Sequence, residues 1–113
     1  MQNIIDENII NEEQLNSILE LDPVEMGELI LDVFKSVDES VKRLSQLHDR
    51  EQIAFIAHSM KGETSNFGLV GLSQLFTTIE KKELESENFK KLLAEISKIN
   101  SKSKKEFETK YQR

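Results

Sequence analysis

The chain contains no cysteine, a single proline and four glycines in 113 residues. Without cysteine there is no disulfide framework, no thiolate nucleophile and no thiolate metal site, so a reducing compartment is permitted and the cytoplasm is expected. No apolar run approaches the roughly 20 residues that a membrane-spanning helix needs. The start, MQNIIDENIINEE, is acidic where a secretory leader is basic. There is also no glycine-rich ATP loop, no Walker motif and no cluster of acids arranged for magnesium, so the chain is not expected to phosphorylate itself from ATP. At this length it forms one domain, 1–113, with one modest core.

The formal charge of −6 is unevenly spread. Residues before His58 carry thirteen acids against four bases, a net of −9, and His58 onward carries eight acids against eleven bases, a net of +3. The basic end, KSKKEFETKYQR, raises the question of nucleic acid, but acids separate its lysines, and bases near a helix C-terminus are explained by the helix's negative pole. Nucleic-acid binding is not expected.

Apolar residues recur at spacings of three and four almost throughout, which predicts helices and no strands. A short first helix is predicted after the N-cap Asn11, presenting Leu15, Ile18 and Leu19 and ending near Leu21. Asp22-Pro23 marks a second start, because aspartate caps free amides and proline suits the first turn. Met26, Leu29, Ile30, Val33, Val37, Val41 and Leu44 form its stripe. Asp49 caps a third helix running to about Phe67, and Gly68 and Gly71 bracket a turn. A fourth helix, from about Leu72 to Leu84, buries Leu72, Leu75, Phe76, Ile79 and Leu84. A fifth, from about Glu87 to Tyr111, buries Phe89, Leu92, Leu93, Ile96, Ile99 and Phe107. The expected fold is all-α, an antiparallel four-helix bundle over about 22–111 with a short additional N-terminal helix.

The third helix contains AHSMKGETSNFG. At about 100° per residue, Ile53, Ile56, Ala57, Met60, Thr64 and Phe67 share one side, which is the core side. His58 points away from it, with Gly62 and Ser65 on its own face and Lys61 alongside. Phe55, three residues earlier, projects to the same outer side, and Ala54 there is small. Ala54, Phe55, His58, Lys61, Gly62 and Ser65 therefore describe a flat, partly apolar surface around an accessible imidazole, suited to a protein partner that approaches closely. Gly62 carries a helix penalty of roughly 0.5–1 kcal/mol relative to alanine, which calls for an offsetting reason.

Each residue has a plainer interpretation. A helical histidine is commonly a polar surface residue, and His48 fits that description. Lys61 could be a solvated charge, and Gly62 could admit a neighbouring helix. Phe55 could be covered by the first helix or by a second copy. A scaffold bundle using the Phe55–Gly62 face thus remains the alternative function. A metal-binding bundle fits poorly, because the two histidines stand ten residues apart without a Glu-x-x-His pattern.

The stretch HSMKGETSNFG resembles the histidine-containing phosphotransfer (HPt) domains of multistep two-component phosphorelays. The shared pattern is a phosphorylatable histidine, then lysine, glycine and a further glycine, here His58, Lys61, Gly62 and Gly68. Leu72 and the pair Ile79-Glu80 match the family's next helix, and EEQLNSILELDP looks like its opening. The position after Gly62, usually a small hydroxyl residue, is Glu63, and Met60 stands where leucine is more usual. A kinase dimerisation domain normally places an acid directly after its histidine, whereas Ser59 follows here.

The resemblance implies that His58 accepts a phosphoryl group on Nε2 from a receiver-domain aspartyl phosphate and returns it to another receiver. It implies that Lys61 stabilises the phosphate charge, that Gly62 keeps the approach open, and that Glu80 orients the imidazole. The implied partners are response-regulator receiver domains and a hybrid sensor histidine kinase. Magnesium is expected on the receiver, with no cofactor or metal held by this chain. A monomer is expected, and the starting methionine and one-domain length lean toward a stand-alone chain.

Overall fold

Three short polar side chains begin the first three helices. Asn11 accepts from the Gln14 amide, Asp22 from Glu25, and Asp49 from both Glu51 and Gln52. Each satisfies amides that have no intrahelical partner. The computed structural model describes residues 8–82 and 84–111. Among them are five helices and no strand: α1 (Glu12–Leu21), α2 (Pro23–Leu44), α3 (Arg50–Asn66), α4 (Val70–Lys81) and α5 (Ser86–Tyr111). The expected domain, 1–113, includes residues 1–7, 83 and 112–113, which lie outside the described residues.

Helix α2 packs on α3 and α5, α4 also packs on α3 and α5, and α1 lies on α2. The core between them holds Ile30, Val33, Phe34, Val37 and Leu44 of α2, Ile56, Ala57 and Met60 of α3, Leu72, Phe76 and Ile79 of α4, and Leu93, Ile96 and Phe107 of α5. The stripe expected for α2 needs two changes. Leu29 is 41% exposed, and Phe34, absent from the expected stripe, is buried. The buried sector is centred on Ile30 and Val37, and Leu29 lies about 100° from Ile30, outside it. Phe34 turns toward α5, where its ring meets Phe107 with centroids 6.0 Å apart.

Beside that contact, Asn100 of α5 donates from Nδ2 to the Phe34 carbonyl at 2.9 Å and to Asp38 at 3.0 Å. Asn100 and Ser103 are buried polar residues that periodicity did not flag. Hydrophobic spacing is blind to a buried polar side chain whose partners satisfy it, on another helix for Asn100 and at Ile99 O of its own helix for Ser103.

The segment before α1 also belongs to the core. Ile9 and Ile10 are buried, although no period announces them. They cross the α3–α4 connection, where Asn11 N–H donates to Gly68 O at 2.7 Å and Gly71 N–H to Ile9 O at 3.1 Å. Gly68 has φ +74°, and a Cβ there would sit 2.9 Å from Asn11 O. It occupies the left-handed position that ends α3: Gly68 N–H bonds Ser65 O, and Leu69 N–H reaches back to Thr64 O. Helix α4 starts at Val70, two residues earlier than expected, so Gly71 lies inside it rather than closing a turn. It ends at Lys81, which leaves Leu84 beyond it and half-buried.

Candidate functional site

The core side of α3 is the predicted one: Ile56, Ala57, Met60 and Thr64 are buried, with Ile53 and Phe67 partly so. The opposite side carries His58. The His58 side chain is 65% exposed. Its Nδ1 lies 2.6 Å from Oε2 of Glu80 on α4, and the other carboxylate oxygen, Oε1, is 2.8 Å from the Lys61 ammonium. Oε1 is shielded from solvent and accepts no well-aligned hydrogen bond, so Lys61 serves it as a counter-charge. Glu80 therefore joins two α3 residues one turn apart.

An ionised carboxylate only accepts hydrogen bonds, so Nδ1 of His58 carries the proton. The lone pair of a neutral ring then resides on Nε2. The Lys61 ammonium, and after it the His58 bond, hold the Glu80 carboxyl below the usual glutamate range. The carboxylate thus stays charged across the physiological range.

Around His58 the surface is open. A Cβ added at Gly62 would meet nothing within 4 Å, which removes the reading that this glycine admits a neighbouring helix. Phe55 is 71% exposed, so α1 does not cover it. Ser65 is exposed and Ala54 half-buried. The carbonyl of Ser65 accepts from Gln14 Nε2 of α1 at 2.8 Å, so α1 steadies the far end of α3. Glu63, about 140° around the helix from His58, lies off the imidazole's face. His48 is exposed and lines a cavity of about 350 Å³ at the end of the helix array, apart from His58.

Arg50 was not singled out from the sequence. Its guanidinium, on the first residue of α3, donates to Ile79 O at 2.9 Å and to Glu80 O at 2.7 Å, capping the end of α4. In sequence it directly follows the cap Asp49, and nothing about an arginine there names another helix's carbonyls as its partners.

Among the described residues no helix is long and apolar enough to cross a membrane. Nor does any group of three or more His, Asp or Glu among them form a metal site. No curated protein and no solved structure matches the chain. The family model for the Hpt domain matches residues 28–102, from the first turns of α2 into α5, a span that includes His58, Lys61, Gly62 and Glu80. A match over well more than half of the sequence, together with the all-helical fold, places this chain in the Hpt domain family.

Proposed function

We propose that the chain is a phosphorelay intermediate that takes a phosphoryl group on His58 from one receiver aspartate and gives it to another. Family membership supplies the coarser part, phosphotransfer in two-component signalling. The observation that carries the finer part is the bond from Nδ1 of His58 to Glu80 at 2.6 Å, which leaves Nε2 as the nucleophile on an exposed face.

In the forward step the Nε2 lone pair forms a bond to phosphorus while the bond from phosphorus to the aspartyl oxygen breaks. The aspartate leaves as a carboxylate. The ring, still holding its Nδ1 proton, gains positive charge, and Glu80 accepts from that proton throughout. Lys61, at 2.8 Å from Glu80, stands one turn from His58 to neutralise charge on the transferring group. The return step reverses these changes. Gly62 leaves space for the receiver loop to bring phosphorus to Nε2, and Phe55, Ala54 and Ser65 supply the flanking contact.

On this reading the closed packing of α2, α3, α4 and α5 is the four-helix bundle of an HPt domain, with α1 an added clamp. The domain acts as a monomeric phosphocarrier in the cytoplasm and has no kinase activity of its own. Its partners are receiver domains and a hybrid sensor histidine kinase, and magnesium belongs to the receiver. Incubating the protein with phosphorylated receiver domains tests this. Label should move to the wild type and not to His58→Gln; a folded wild type that binds receivers through the Phe55 face yet takes no label would make it a scaffold instead.

A further inference from the structure

Glu80 occupies a poor place for a residue that must hold a 2.6 Å bond, because it is the penultimate residue of α4. The last turn of a helix has carbonyls without intrahelical partners and frays. No glycine ends α4. Lys82 follows in extended conformation, and its N–H reaches Thr78 O alone. Among the described residues it is Arg50 that donates to the carbonyls of this last turn, to Ile79 O at 2.9 Å and to Glu80 O at 2.7 Å.

We infer that Arg50 is a positioning residue for phosphotransfer, which acts by fixing the backbone of Glu80 so that its carboxylate keeps the His58 proton on Nδ1. This rests on the reading of His58 as phosphoacceptor. Glu80 is held by three α3 side chains, with Arg50 gripping its backbone and His58 and Lys61 its carboxylate. A planar guanidinium with paired N–H groups suits two successive carbonyls, and a lysine cannot reproduce that fork. Arg50 precedes His58 by more than two helical turns, so its action is indirect. The end of α4 is thereby tied to the same rigid element that carries the imidazole.

The test combines two readouts on Arg50→Ala, Glu80→Ala, the double variant and Arg50→Lys. The ¹⁵N shifts of the His58 ring nitrogens report the tautomer without any partner, and single-turnover transfer from a phosphorylated receiver reports the rate. Arg50→Ala should convert a ring protonated at Nδ1 into a mixture of tautomers. It should slow transfer about tenfold, within the range of couplings between residues of one hydrogen-bonded network. In the Glu80→Ala background the same change should alter the rate by less than about twofold, because its route of action is gone. Arg50→Lys should fall between, and it carries the comparison should the alanine variant not fold. Lys90→Ala, which touches the same cavity wall as Arg50, should leave both readouts unchanged.

A wild-type tautomer in a folded Arg50 variant would overturn the inference, as would an equal slowing with and without Glu80. If the wild type takes no label at all, the phosphorelay reading fails, while the tautomer measurement still decides whether Arg50 positions Glu80.

Discussion

Gly62 and Gly68 lie six residues apart and are glycines for opposite reasons. At Gly68 the chain itself leaves no room: φ is +74° and a Cβ would press on Asn11 O at 2.9 Å. At Gly62 a Cβ would meet nothing within 4 Å, and the helix would be more stable with almost any other residue. The fold accounts for the first glycine and leaves the second unexplained. A glycine that weakens its own helix where a side chain would meet nothing is explained, on the proposed relay, by a receiver that must come within bonding distance of His58.

The contrast is broken most sharply by filling the open position. Gly62→Gln should abolish detectable transfer while raising stability by about 0.3–1 kcal/mol, from helix propensity alone. Chemical denaturation and a transfer assay on the same sample measure both, and wild-type transfer would remove the partner from the explanation. Filling the crowded position should do the reverse. Gly68→Ala should destabilise the fold by about 2–4 kcal/mol, through left-handed strain and displacement of the residue 8–11 segment, with transfer per folded molecule unchanged. A loss below about 0.5 kcal/mol would show that the N-terminal segment yields easily.

Smaller effects sharpen the boundary of the open face. Phe55 is 71% exposed, so Phe55→Ala should leave stability within about 0.5 kcal/mol. It should weaken receiver binding by about 1–2 kcal/mol as an apolar anchor. The rate at saturating receiver should hardly change, whereas Lys61→Ala should lower that rate with affinity nearly intact. Normal binding by a Phe55→Ala protein would confine the interface to the immediate surroundings of His58.

The smallest expected effect concerns the carboxylate between them. Glu80 is held below the ordinary value of 4.5, chiefly by Lys61. A lowered folded value means that its stabilising contribution is fully present above the unfolded value and is lost as pH falls through the folded one. Its carboxyl ¹³C titration should therefore have a midpoint under 4.5, and a midpoint at or above 4.5 would contradict the Lys61 contact.

The two glycines also mark what the sequence could disclose. Caps and periods announced the helices, and Asn11, Asp22 and Asp49 stand at the N-termini expected of them. The outward face of α3 followed from rotation per residue, so the exposure of His58, Phe55 and Gly62 was legible. What stayed hidden involves partners far apart in the chain with no repeating signal. The buried pair Ile9 and Ile10 carries no period, Asn100 pairs with the α2 backbone, and Arg50 caps a helix 29 residues on. The Glu80 position came from the family pattern, and only the fold shows that the same carboxylate holds both His58 and Lys61.

One measurement tests the account at its centre: phosphorus–nitrogen correlation by NMR on ¹⁵N-labelled protein phosphorylated by a receiver. The phosphorus should couple to Nε2 of His58, with the proton retained on Nδ1 and the Glu80 bond of 2.6 Å preserved as a slowly exchanging signal. Coupling to Nδ1 of His58, or to either nitrogen of His48, would contradict it.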